Sequence, residues 1–156
     1  MNEQELTALF RKLGAGNPSG WARSQINENI PQLARFLFLR QAWKLVVGDN
    51  DSSWIDEMRR ANPNRPGGDA SPAIERLLAA GANEEDLTKL IRVMQWRLLF
   101  GLCQLLDDPG TIESEVRDIA WRLFQVDEDD HPIAIMPGLA ESVLETDPTG
   151  REMRPA

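Results

Sequence analysis

The residues best equipped for chemistry lie in one short stretch, where the single histidine follows four acidic residues. His131 comes directly after Asp127, Glu128, Asp129 and Asp130. Carboxylates and an imidazole are ligands that divalent cations accept. The spacing, however, fits neither the calcium loop D-x-[DN]-x-[DN]-G-x5-E nor a zinc pattern, and consecutive residues of a turn point in different directions. We therefore interpret the stretch as a solvated acidic turn and predict no metal site.

No other group has the sequence setting of a catalytic residue. Cys103, the only cysteine, lies in an apolar run, where we expect a buried and unreactive thiol. Acidic neighbours such as Asp107 and Asp108 need not face one cleft, as general acid/base catalysis would require. One histidine and no G-x-S-x-G motif give no support to a Ser-His-Asp hydrolase. The sequence predicts no catalytic residue and no cofactor.

Aromatic and basic residues indicate a candidate protein-binding surface. The chain has five tryptophans and no tyrosine, and most of its 17 basic residues are arginines. Tryptophan and arginine dominate the hot spots of protein interfaces. The predicted interface comprises Trp21, Trp54, Arg59 and Arg60. The alternative is that the tryptophans pack in the core and the arginines form its solvated rim.

A second candidate site is a pocket between helices that receives an anion. Three cations, Arg35, Arg40 and Lys44, lie on one predicted helix over 31–47. Pockets between helices commonly bind small ligands through a few polar groups. These cations are the predicted ligands of an anion in such a pocket.

The charge of the chain is strongly asymmetric. The net charge is −8, from 17 basic and 25 acidic residues; the chain up to Arg65 carries +2 and the chain from Pro66 onward carries −10. An acidic surface repels phosphate backbones, so nucleic-acid binding is disfavoured. The acidic second half suits a basic protein partner, although the charge could also serve solubility alone.

The location of the protein follows from its cysteine and its apolar runs. A single cysteine forms no disulfide within the chain, which favours the reducing cytoplasm. The N-terminus MNEQELTALFRKLG lacks the basic and apolar regions of a secretory signal. The most apolar stretch, around 98–103, is far shorter than the about 20 residues that span a bilayer. We therefore expect no membrane partner.

The elements that position these residues are mainly helical. Apolar spacing and capping residues predict a helix at each of several segments. Three prolines and two glycines make 61–72 a loop, predicted to be mobile. Short extended segments on both sides of the acidic turn predict a β-hairpin near 125–135. The predicted helices are 2–13, 21–29, 31–47, a short one around 52–58, 72–80, 84–106, 111–124 and 138–145.

The predicted fold is an all-α, single-domain bundle of about five to seven helices with a minor hairpin. The domain is predicted over 1–146, and a polar tail follows over 147–156. The helix over 84–106 carries apolar residues on nearly all sides beyond its first three turns. We therefore expect other helices to surround it, as in the centre of a bundle.

These features lead to three hypotheses about function. The first is a non-enzymatic interaction protein, a bacterial adaptor or an immunity-like partner that masks another protein through its acidic second half. The closing run GLAESVLETDPTGREMRP resembles small bacterial proteins, and no family motif is matched. The second is an enzyme or small-ligand protein with an anion pocket between helices. The third is a homodimer that pairs through an exposed apolar patch.

Overall fold

The computed structural model describes residues 1–108, 110 and 114–155. Among these residues the chain forms seven α-helices and one antiparallel pair of strands. The predicted helical bundle with a minor hairpin is confirmed. The elements are α1 Glu3–Lys12, α2 Pro18–Glu28, α3 Gln32–Ala42, α4 Ser53–Arg59, α5 Ala70–Ala79, α6 Glu84–Asp107, β1 Phe124–Val126, β2 Pro132–Ile135 and α7 Leu139–Ser142, with 3-10 turns at Trp43–Leu45 and Ser114–Val116.

Asparagine side chains define the first turns of three helices. At α1, the Asn2 side chain accepts a hydrogen bond from the backbone N–H of Glu5 (3.0 Å), and the Glu5 carboxylate accepts one from the backbone N–H of Asn2 (2.9 Å). Asn17 and Asn83 likewise accept N–H groups of the first turns of α2 and α6. Such caps satisfy donors that have no partner within the helix. The cap at Asn83 confirms the sequence prediction.

The chain divides into two compact units. The first comprises Met1–Trp43 with Leu98–Ala156, and the second comprises Lys44–Arg97. Helix α6 contributes its residues up to Arg97 to the second unit and its remaining residues to the first. The predicted boundary between a helical domain and a tail at 146/147 stays a prediction.

Three aromatic rings form the centre of the first unit. The rings of Phe10 and Trp21 lie 5.9 Å apart, and Phe36 meets Phe10 and Trp21 edge-on at 5.6 and 5.4 Å. Leu6 and Ala22 complete this buried cluster. Edge-to-face aromatic pairs stabilise a core beyond the area they bury. The cluster joins α1, α2 and α3.

Helix α7 is held to the first unit by two side chains. The indole Nε1 of Trp43 donates to the carbonyl of Val143 (2.9 Å). The carboxylate of Asp107 accepts the backbone N–H groups of Leu139 (3.0 Å) and Ala140 (2.8 Å). A four-residue helix is unstable alone. Tertiary hydrogen bonds therefore fix its position.

In the second unit, polar side chains on one side of α6 make hydrogen bonds with other segments of the chain. The buried Thr88 hydroxyl accepts from Trp54 Nε1 (3.0 Å). The buried Arg92 donates to the carbonyl of Val47 (2.7 Å), and the Val47 N–H donates to the side chain of Gln95 (2.7 Å). These contacts satisfy the backbone of the segment between the 3-10 turn and α4.

The prediction that other helices surround α6 is wrong. Its apolar residues Leu90, Met94, Leu98, Leu102 and Leu105 are between 46% and 66% exposed. The burial of Cys103 is confirmed. Apolar residues on all sides of a helix show that several faces are able to pack. The segments that contact the helix in the folded chain determine which of these faces is buried. Here the line through Thr88, Arg92 and Cys103 is the buried one.

The predicted helix over 111–124 is also wrong in its described part. Residues Ser114–Val116 form a 3-10 turn, and β1 begins at Phe124; the predicted cap Thr111 lies outside the described residues. The backbone carbonyl of Leu123 accepts from the N–H of Met136 (2.9 Å) beside the strand pair. Pairing with β2 thus begins only at Phe124, and residues 117–123 form a turn followed by irregular chain.

Candidate functional site

The acidic turn at Asp127–His131 is organised by one carboxylate. Asp127 Oδ1 accepts the backbone N–H groups of Asp129 and His131, each at 2.9 Å, and its Oδ2 lies 3.4 Å from His131 Nδ1. The hydrogen bond from the backbone N–H of His131 lowers the pKa of Asp127. Ligand atoms of Asp127, Asp129 and His131 lie within 4.8 Å of one another, and all three residues are exposed. The turn that these hydrogen bonds form explains this proximity without a bound ion.

The thiol of Cys103 lies in an environment that disfavours its reactive form. The residue is 1% exposed. Burial, with a smaller effect of the Asp107 carboxylate, raises the pKa of the thiol to about 11. Since the thiolate is the nucleophile, the group is almost entirely protonated and unreactive at neutral pH. Cys103 therefore acts as a packing residue.

One side of the β-hairpin is apolar and exposed. Phe124 pairs with Ile135 across the strands, and Ile133 lies two residues before Ile135. Alternation along a strand places these three side chains on one side of the sheet. With Val126 they are between 41% and 58% exposed, while Gln125 and Ala134 of the other side are half-buried. The hairpin thus exposes its more apolar side to solvent, next to the acidic turn.

A small polar pocket in the first unit surrounds a buried arginine. The pocket has a volume of about 230 Å³ and is lined by Arg35, Trp21, Glu145 and neighbouring polar residues. Arg35 is 8% exposed and lies over the Trp21 ring at 5.5 Å. It donates to the carbonyl of Pro137 (2.6 Å) and to the Gln32 side chain, while its Nε has no hydrogen-bond partner among the described residues. Burial lowers the pKa of Arg35, and surrounding carboxylates, first Asp107, oppose that effect.

An apolar groove of about 580 Å³ lies in the second unit, between α4, α5 and the first turns of α6. Its walls include Trp54, Met58, Ile74 and Leu87, and Lys44 lies at its edge. Leu45 is 81% exposed beside it. The volume is within the range of pockets that take small ligands.

The predicted interface residues do not share one surface role. Trp21 is buried in the core of the first unit, so it offers no contact area. In the second unit, Trp54 lines the groove and is fixed by its bond to Thr88. Arg59 pairs with Glu75 at 2.6 Å, and Arg60 is exposed. An interface that includes Trp54, Arg59 and Arg60 stays a prediction. Trp21 contributes to it only through its packing in the core.

The predicted anion ligands are placed differently from one another. Arg35 lines the polar pocket of the first unit, and Arg40 is exposed on α3. Lys44 belongs to the second unit, at the edge of the groove. Of the three cations, Arg35 is the one placed in a polar pocket.

The exposed hairpin side was missed in the sequence, although its signal was present. Apolar residues alternate along both strands, FQV and PIAI. The strand sequences do not show, however, which side of the hairpin other elements cover. None of the described helices is long and apolar enough to cross a membrane. Comparison of the chain with protein-family models, with curated proteins and with solved structures finds no match.

Proposed function

We propose that this chain is a non-enzymatic interaction protein that binds a partner through its hairpin. The observation that carries the proposal is the exposed apolar side formed by Phe124, Ile133 and Ile135. Apolar side chains gathered on one side of a surface element are typical of binding sites, because burying them in a complex releases water. The partner presents an apolar surface that matches this side.

The partner is also basic. Four acidic residues, Asp127 to Asp130, are exposed at the turn that joins the two strands, and the chain from Pro66 onward carries −10. A partner with arginine or lysine around its apolar contact would be steered to the hairpin, and acidic competitors would be repelled. Such an association weakens at high salt, because exposed charges are screened.

Two further features support a binding role over catalysis. The buried Cys103 thiol is held protonated, and the carboxylates of Asp107 and Asp127 are occupied as acceptors of backbone N–H groups. A bacterial adaptor or an immunity-like protein in the cytoplasm, where a lone cysteine stays reduced, fits this description.

Site-specific photo-cross-linking in native lysate tests the proposal. A photoreactive phenylalanine analogue replaces Ile133, and in a matched control it replaces Ile26, which is 47% exposed on α2. We expect a basic protein to be cross-linked from position 133, and the yield to fall several-fold when salt rises to about 0.5 M. Equal cross-linking from positions 133 and 26, or a partner unaffected by salt, would contradict the proposal.

A second candidate function rests on the unpartnered Nε of Arg35 beside the polar pocket. A molecule smaller than a drug-sized ligand, with a carboxylate for Arg35 and an amine for Glu145, suits this pocket of about 230 Å³, because pockets for drug-sized ligands begin at about 300 Å³. Thermal unfolding with free amino acids tests it, since a ligand of the folded state raises the melting temperature. The same increase in an Arg35→Met variant would refute it.

A further inference from the structure

Strand β1 has an edge whose backbone groups are not used in the strand pair. Beside the first residue of β1, the N–H of Met136 donates to the carbonyl of Leu123 (2.9 Å). Residues of an antiparallel pair alternate between positions that exchange hydrogen bonds and positions that do not. The N–H and C=O groups of Phe124, the next residue, therefore point away from β2. Among the described residues these two groups have no hydrogen-bond partner.

The last residue of β1 has the same orientation. Beyond the strand, the N–H of Asp127 donates to the carbonyl of His131 (3.0 Å). The alternation therefore turns the N–H and C=O groups of Val126 away from β2 as well, and no described residue forms a hydrogen bond with them. Both Phe124 and Val126 are exposed. Two donors and two acceptors thus lie in a row along this edge, which we call the β1 edge.

The opposite edge of the hairpin is less suited to pairing with another strand. Pro132, the first residue of β2, has no N–H group to donate. The register shifts by one residue between Gln125 and Val126, so Ile133 of β2 is an extra residue that interrupts the regular spacing. Proline and bulges are means by which proteins keep further strands from joining an edge. The β1 edge has neither feature.

The two ends of β1 carry opposite charges. Arg122 lies two residues before Phe124 and is exposed, and its guanidinium donates to the backbone carbonyl of Trp121 (2.8 Å). The acidic turn Asp127–Asp130 follows β1 directly and is also exposed. The chain thus carries a cation, then the two apolar residues of the edge, then carboxylates. This order is complementary to itself when a second copy runs in the opposite direction.

We propose that a second copy of this chain pairs with the β1 edge, so that two hairpins join into one four-stranded sheet. The two β1 strands run antiparallel about a twofold axis at Gln125. Phe124 of each copy then exchanges both backbone hydrogen bonds with Val126 of the other, and their side chains pack side by side. Arg122 of each copy lies beside the acidic turn of the other. The proposal is independent of the basic partner, because the apolar side of the joined sheet stays open.

Analytical ultracentrifugation of two variants at position 126 separates strand pairing from contact between apolar side chains. Because the interface is small, we expect a weak dimer of twice 17.6 kDa that dissociates on dilution from about 1 mM. Val126→Pro keeps an apolar side chain but removes the N–H, and should weaken dimerisation by about tenfold or more. Val126→Thr keeps the N–H and should stay within about threefold of the wild type. Equal dimerisation of the two variants, or a wild type that is monomeric throughout this range, overturns the proposal.

A charge exchange tests the antiparallel orientation. Arg122→Glu places a carboxylate beside the acidic turn of the other copy and should weaken dimerisation by about tenfold. Adding Glu128→Arg to this variant restores opposite charges and should recover most of the loss. Arg40→Glu, at an exposed site on α3, changes the net charge by the same amount and should have little effect. Equal losses for Arg122→Glu and Arg40→Glu contradict the antiparallel pairing.

Disulfide cross-linking keeps the test decisive if Val126→Pro disturbs the hairpin. Gln125→Cys faces its own copy across the twofold axis, where directly opposed Cα atoms are about 4.5 Å apart, and should form a covalent dimer on oxidation. Ile133→Cys is the matched control, because it is more exposed but lies three strand spacings, about 14 Å, from its copy. The buried Cys103 gives the wild type no cross-link in this assay. No cross-link at position 125, or an equal one at position 133, contradicts the joined sheet.

Discussion

The Cys103 thiol allows a quantitative test of the packing of α6 in the first unit. Its pKa rises from 9.0 to about 11, chiefly through burial. At pH 8 the thiolate fraction therefore falls by about 100-fold relative to an unperturbed thiol, and labelling by an aromatic disulfide reagent slows at least by that factor. The reference is the same chain unfolded in guanidinium chloride. A native labelling rate within about tenfold of the unfolded rate would refute the burial of this thiol.

The same pKa determines how stability depends on pH. Because the folded state holds the proton more tightly than the unfolded state, the contribution of the thiol is fully present below pH 9.0 and is lost as the pH rises to about 11. The loss reaches about 2.7 kcal/mol, since each pH unit between the two values costs about 1.36 kcal/mol.

Urea unfolding between pH 8 and 11.5, compared with Cys103→Ala, isolates this effect from the other titrating groups. The chain has no tyrosine, so thiolate absorbance near 240 nm follows the titration without tyrosinate interference. A wild type whose stability relative to Cys103→Ala is the same at pH 8 and pH 11.5 would show that the thiol is not desolvated.

Three further changes test the contacts that hold the first unit together. Arg35→Ala should lower the free energy of unfolding by about 2–3 kcal/mol in chemical denaturation, because the Pro137 carbonyl and the Gln32 side chain lose their charged donor, whereas Arg40→Ala on the exposed side of α3 should cost under about 0.5 kcal/mol. Asp107→Ala removes the acceptor of two N–H groups and should cost about 1–2 kcal/mol and increase amide exchange in α7; unchanged exchange there would contradict the capping role. The hairpin should loosen in acid, because the lowered pKa of Asp127 makes its turn stable above about pH 4 and progressively unstable as the pH falls through that lowered value. Amide chemical shifts of the hairpin measure this, and a turn unaffected down to about pH 2 would disprove it.

The sequence predicted best those features that depend on neighbouring residues. Asn83 caps α6 because its side chain reaches N–H groups two and three residues later, a relation independent of the rest of the fold. The hairpin around 125–135 was predicted because alternating apolar residues flank a turn. The helix over 111–124 is wrong although its signal is also local, because apolar spacing alone does not distinguish a helix from the irregular chain and the strand β1 that the structure shows there.

The candidate sites were less predictable than the elements that carry them. Trp21 was assigned to a surface because it follows a loop, yet it packs against Phe10 and Phe36, which the chain brings together from α1 and α3. Arg35 was selected for its charge, whereas its pocket depends on Glu145, 110 residues later in the chain. Burial and proximity of this kind are properties of the packed chain.

The amino-acid sequence alone determined the helical class, the cap at Asn83, the hairpin and the acidity of the second half, because each depends on composition or on residues within a few positions. Only the tertiary structure decided which face of α6 is covered. Thr88 and Arg92 find hydrogen-bond partners inside the second unit, so the polar side of the helix is turned inward and its leucines are left in solvent. Periodicity shows how many faces of a helix are apolar. Which face is buried also depends on whether its polar groups find hydrogen-bond partners, and those partners come from other segments of the unit.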